Sequence, residues 1–124
     1  MRIDRHFTEK GASPYAALSF RKATSEIRNP DGTVVFRLDN VEVPEAWSQV
    51  ATDVLAQKYF RKAGVPAALK PVKEDHVPKW LWRHEADEEA LAGLPEDQRY
   101  GQETKATQVF DRLAGTWTYW GWKG

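Results

Sequence analysis

Apolar positions recur at a helical period most clearly between Pro44 and Pro66. There Trp47, Val50, Ala51, Val54, Leu55 and Tyr59 are spaced so that one face of a helix collects them. Pro44 and Glu45 suit a helix start, where a missing amide hydrogen costs nothing and a carboxylate meets the positive end of the dipole. Arg61 and Lys62 suit the last turn, Gly64 a left-handed stop, and Pro66 blocks continuation. The pattern predicts a central helix over 45–63, whose long one-sided stripe other segments must bury. Before it, Ile27, Val34, Val35, Phe36 and Leu38 flank Asn29-Pro30-Asp31-Gly32, which predicts a β-hairpin within 15–38 closed by a type I turn. The same four residues suit a ligand-contacting tip, but a plain turn is the simpler reading.

After the central helix, Pro66, Pro71 and Pro78 predict an extended linker over 65–84. A short acidic helix is expected over 86–94 and a third helix over 103–114. The stripe of that third helix is Ala106, Val109, Phe110, Leu113 and Ala114, and Gly115 is its stop. Residues 115–124 then read as an aromatic tail, and residues 1–13 as an irregular arm. The expected fold is therefore α+β and mostly helical: one domain over 14–124, with an N-terminal hairpin, about three helices and a proline-rich linker.

Composition narrows the function. Eighteen basic residues balance eighteen acidic ones, which argues against a general electrostatic grip on nucleic acid or anionic lipid. No apolar run is long enough for a membrane span, and the charged N-terminus lacks the apolar centre of a signal peptide, so a cytoplasmic location is expected. There is no cysteine, hence no disulfide, thiol nucleophile or cysteine-ligated metal within the chain. His6, His76 and His84 are scattered without ligand spacing, and no metal site is expected. Asp87, Glu88 and Glu89 are consecutive, so they point around a helix as a solvated face rather than forming an acid/base pair. No phosphate-loop, dinucleotide or nucleophile-elbow motif is present.

What stands out is tryptophan, six in 124 residues. In VPKWLWR, Trp80 and Trp82 would share a face of an extended segment. They fit either a stacking platform for a base or sugar, or an aromatic clamp; their large apolar area favours the clamp. Lys58, Arg61 and Lys62 fit either a phosphate site or a solvated helix end complementing the dipole, and the second is the simpler. Trp117, Tyr119, Trp120 and Trp122 are too many rings for three short helices and a hairpin to bury, so an exposed docking face is expected there. A chain ending at Gly124, just after its most hydrophobic stretch, is expected to be part of a larger protein or to be completed by a partner.

Four blocks carry a family resemblance: FRKATSEIRNPDGTVVF, VPEAWSQVATDVLAQKYFRKAGVP, VPKWLWR and ATQVFDRLAGTWTYWGWKG. In this order they resemble the N-terminal region of bacterial class II, adenosylcobalamin-dependent ribonucleotide reductase, from about Pro14 to Gly124. The resemblance implies a full-length enzyme that reduces ribonucleoside diphosphates to deoxyribonucleotides for DNA synthesis. In that enzyme a cofactor-derived radical makes a cysteine thiyl, and a cysteine pair supplies the electrons, within a ten-stranded α/β barrel. Lacking that barrel and any cysteine, the present chain matches none of the family's catalytic motifs. The resemblance therefore implies no catalytic residue here, no cofactor bound by this chain alone, and no activity in isolation. Its implied role is structural, with the missing catalytic barrel as partner and nucleotides met only through the full enzyme.

A second reading makes the chain a stand-alone nucleotide or single-stranded nucleic-acid binding module. Trp80, Trp82 and Trp120 would stack bases while Arg83, Lys58 and Arg61 held phosphates; the neutral net charge weakens it. An independent enzyme has no nucleophile–base or metal constellation to support it.

Overall fold

The computed structural model describes residues 4–124, so the first three residues of the expected N-terminal arm lie outside the described residues. Residues 4–19 follow a course of turns with three local backbone hydrogen bonds (Ala12 to Glu9, Ala16 to Ser13, Leu18 to Tyr15). Strand β1 (Phe20–Arg28) then pairs antiparallel with β2 (Val34–Pro44). Between them Gly32 donates to the Asn29 carbonyl, and the Asp31 carboxylate accepts from the Thr33 amide. Gly32 sits at φ +89°, where a Cβ would be strained.

The ladder runs on to Pro44, well past Leu38, because one bulge corrects its phase. Asp39 and Asn40 together face Thr24, with Asn40 at φ +57°. One extra residue shifts the side-chain alternation by one. Phe36 and Leu38 therefore face the same layer as Val41 and Val43, and both of those valines are fully buried.

Pro44 is thus the last residue of β2 rather than a helix start. The helix begins at Ser48, whose hydroxyl accepts from the Ala51 amide. Helix α1 (Gln49–Val54) passes into a single π-helical turn over Leu55–Tyr59, closed by Phe60 N–H donating to the Leu55 carbonyl. The wider turn shifts the buried face by one residue at its end, so Phe60 rather than Tyr59 faces inward. Thr52, Leu55, Ala56 and Phe60 enter the core, while Val50, Val54 and Tyr59 stand exposed.

The helix stops well short of residue 63 because Arg61 is tied to Glu103 in both directions. Arg61 N–H donates to Glu103 Oε1 (2.8 Å), and Glu103 N–H donates to the Arg61 carbonyl (2.9 Å). Gly64, at φ +77°, then turns the chain back.

Residues 65–84 are not a free linker. β3 (Val65–Pro66) pairs with β6 (Tyr100–Gly101), and β4 (Leu69–Pro71) pairs with β5 (His84–Ala86). Pro66 and Pro71 each close a short strand, where a missing amide hydrogen leaves the ladder intact. Lys79–Leu81 is a 3-10 turn, α2 (Glu88–Ala92) is capped by Asp87, and Glu96–Gln98 is a second 3-10 turn. Gln108 turns back to accept from the Thr104 and Lys105 amides at the start of α3 (Ala106–Lys123). Thr104 also accepts from the Glu42 amide, seating α3 on β2.

The expectation of a mostly helical fold is therefore overturned. Among the described residues six strands form three two-stranded antiparallel sheets, and only α3 is a long helix. The proline-bearing stretch finds partners for its backbone instead of staying extended and alone. The core lies between β2, the α1–π unit and the first turns of α3: Leu38, Val41, Val43, Leu55, Ala56, Phe60, Ala106 and Val109.

This placement separates two residues that share one apolar stripe in the sequence. Leu55→Ala, at a buried position, is expected to cost about 2–4 kcal/mol. Val50→Ala, at a position 73% exposed, should stay within about 0.5 kcal/mol. Denaturant midpoints of the two variants check this.

Candidate functional site

Helix α3 does not end at Gly115. It continues to Lys123, carrying the expected tail as helix. A glycine inside a helix costs about 1 kcal/mol relative to alanine, and contacts on both flanks of the last turns oppose that cost. Ala106, Val109, Phe110, Leu113, Trp117 and Trp120 form one stripe along it, at spacings of three and four. The first half of the stripe packs on the core, where Trp47 meets Phe110 edge-to-face at 5.7 Å. The second half is mostly uncovered: Trp117 and Trp120 are each 64% exposed. Between the α1–π unit and α3 lies an apolar groove of about 410 Å³, lined by Trp47, Val54, Tyr59, Phe110 and Leu113 among others.

The other flank of α3 is held by polar contacts. Arg112 donates to both Glu103 oxygens (3.2 and 3.0 Å) and to the Tyr59 carbonyl (2.8 Å). The Glu103 carboxylate thus gathers the end of the π turn and α3 into one buried knot. Nearer the C-terminus, residues 72–83 act as a strap. Tyr119 donates to Glu74 (2.8 Å), Trp122 Nε1 donates to the His76 carbonyl (2.8 Å), and Trp80 meets Trp122 edge-to-face at 6.3 Å. Lys123 and Arg83 each lie 3.6 Å from Glu74. The Tyr119 hydroxyl chiefly, helped by the Arg83 and Lys123 cations, holds the Glu74 carboxyl below its usual range, against a desolvation that opposes it more than either cation's charge favours it. The Tyr119 phenol is raised in turn, chiefly by the same hydrogen bond. At the far side Tyr15 donates to Asp111 (2.6 Å) and its phenol is pushed up to about 12, by burial and then by that carboxylate.

The four aromatics expected as one docking face thus divide: Trp117 and Trp120 continue the core stripe, while Tyr119 and Trp122 hold the strap. Trp80, Trp82, Arg83 and Trp120, named in the base-stacking reading, do border one open groove of about 630 Å³. The residues VPKWLWR are not extended there; Lys79–Leu81 coils, Leu81 is buried, and Trp82 Nε1 donates to the Val77 carbonyl. Lys58 and Arg61 lie outside that groove. Its two arginines already face carboxylates, Arg83 with Glu74 and Arg112 with Glu103, so a phosphate would compete with them. Lys62 stands over the Phe36 ring at 5.0 Å.

Among the described residues no cluster of three His, Asp or Glu side chains is placed to hold a metal ion. No described helix is long and apolar enough to cross a membrane. Glu103, Arg112 and Glu74 went unnoticed in the sequence, because partners nine or forty-five residues apart leave no periodic signal.

The profile of a family described as class II vitamin B12-dependent ribonucleotide reductase matches residues 21–124. The chain belongs to that family. It is 69% identical, over its whole length, to vitamin B12-dependent ribonucleotide reductases of Agrobacterium fabrum and Bradyrhizobium diazoefficiens. A Streptomyces coelicolor reductase of the same name is 34% identical over 76 residues, 60% of this chain and 8% of that protein. The chain spans about a tenth of the length of the first two relatives.

The strap gives a pH prediction. A carboxyl whose folded pKa is depressed stabilises the fold above its unfolded value, and that stability is lost as pH falls through the lower folded value. The hold of Glu74 on α3 is therefore present above about pH 4.5 and fades below it. Carboxyl-detected NMR titration should place the Glu74 midpoint below 4.5, and Tyr119→Phe should move it upward. An unmoved midpoint would contradict the assignment of Tyr119 as its main partner.

Proposed function

We propose that this chain is the N-terminal, non-catalytic supporting segment of an adenosylcobalamin-dependent ribonucleotide reductase. Its role is to lie against the catalytic region with the second half of the α3 stripe, in the DNA-precursor synthesis that the family performs on ribonucleoside diphosphates. The observation that carries this reading is the stripe itself. A face that is core over Ala106–Leu113 runs on into two indoles left mostly exposed, and the named relatives hold roughly ten times as much polypeptide. Trp122, 44% exposed, and Tyr119 would stand at the margin of that contact.

Magnitudes favour docking by the indoles over their use as a stacking platform. Covering an indole that is mostly exposed removes on the order of 100 Å² or more of apolar area, so the pair is worth about 5 kcal/mol in apolar burial. A base stacked on Trp80, Trp82 or Trp120 would gain about 1–3 kcal/mol, with its phosphates meeting arginines already facing carboxylates. The radical chemistry of the family needs a cysteine thiyl and a dithiol, and this chain supplies neither; adenosylcobalamin would be held elsewhere in the full enzyme.

In the full-length reductase, the double substitution Trp117→Ala, Trp120→Ala is expected to uncouple this segment. Calorimetry should show it melting apart from the catalytic region, and turnover should fall several-fold with the catalytic cysteines untouched. A double variant with wild-type melting and turnover would contradict the reading.

A further inference from the structure

The groove between the α1–π unit and α3 is a second uncovered surface, distinct from the bare indoles. Its walls are Trp47, Val54, Tyr59, Phe110 and Leu113, with Leu55 at its floor. No charged side chain lines it. Val54, at the end of α1, and Tyr59, at the end of the π turn, stand exposed along it, while Leu55 and Ala56 between them stay in the core. At about 410 Å³ it holds several apolar side chains.

The chemistry of the walls selects the secondary structure of an occupant. An extended strand laid here would bring unpaired N–H and C=O groups against side chains that offer them nothing, apart from the Tyr59 hydroxyl. A helix satisfies its own backbone and presents only side chains, at positions i, i+3 or i+4, and i+7. Where the occupant comes from follows from the lengths: about nine-tenths of each close relative lies outside the matched region. Phe110 and Leu113, which wall the groove, belong to the same α3 stripe that Trp117 continues one turn on, so an element seated there is next in line to the proposed docking face.

We infer that this groove receives the apolar face of an amphipathic helix from the remaining polypeptide of the reductase. This rests on the reading of the chain as a supporting segment, and adds to it a second contact of stated geometry. The helix packs as a third member against α1 and α3, completing a layer that the segment leaves half-built.

The test uses full-length reductase carrying a photo-crosslinking phenylalanine analogue at position 54, a site 42% exposed in this segment. The expected product is an intramolecular cross-link to apolar residues of one helix in the catalytic region. A cross-link between two copies, to a strand, or none at all overturns the inference. A parallel Val54→Glu variant is read by hydrogen exchange. Peptides from α1 and the first half of α3 should exchange about tenfold faster, while β1 and β2 stay within about twofold, showing that the segment is still folded. Unchanged exchange in α1 and α3 also overturns it. If position 54 cross-links as expected while the Trp117, Trp120 pair proves silent, the indole contact fails and the groove stands. The reverse pattern removes the groove and leaves the indole contact.

Discussion

Helix α3 carries one apolar stripe from Ala106 to Trp120, and the segment covers only the first half of it. The rest of the structure follows from that half-finished packing. Ala106 and Val109 close the core against Val41, Val43 and Leu55, which fixes the helix axis relative to β2 and the α1–π unit. Once the first turns are fixed, Trp117 and Trp120 must project beyond the body, because the stripe continues in register. Polar contacts on the opposite flank keep the helix from fraying. Glu103 and Arg112 pin its middle, and the strap through Glu74 and His76 pins its end. The indoles are therefore presented on a rigid element, the condition for a docking surface that loses little entropy when it is covered.

The Glu103–Arg112 pair shows how specificity is achieved in so small a core. A buried carboxylate is costly unless its oxygens are satisfied. Here the Arg61 amide and the Arg112 guanidinium supply three donors, and the same guanidinium reaches the Tyr59 carbonyl. One ion pair thus ends the π turn, sets the strand that follows and orients α3. It also leaves Arg112, at the aromatic groove, with its guanidinium already committed to a carboxylate rather than free for a phosphate.

Much of this was legible in the residues, and the failures have causes. The turn at Asn29–Gly32 follows from proline and glycine at fixed offsets. The stripe over Ala106–Leu113 follows from period alone. The family followed from four aromatic-rich blocks. The central helix did not read correctly: its buried face runs through Thr52, Leu55 and Ala56, not through Val50 and Val54, and the π turn then brings Phe60 inward in place of Tyr59. Val41 and Val43 fell outside both predicted elements and are core, because the bulge in β2 resets the alternation. Gly115 read as a stop because its local cost is visible in sequence and the contacts that outweigh it are not: Tyr119 with Glu74, Trp122 with His76. Proline in residues 65–84 hid strands of two and three residues, too short for any alternation to register.

The central claim is that the second half of the α3 stripe is an interface and not a surface. The most direct measurement is the solvent accessibility of Trp117 and Trp120 in a structure of a full-length reductase carrying this segment. Both indoles should fall from about two-thirds exposed to nearly buried against the catalytic region. If both remain as exposed as they are here, with the catalytic region contacting some other face, the account is wrong.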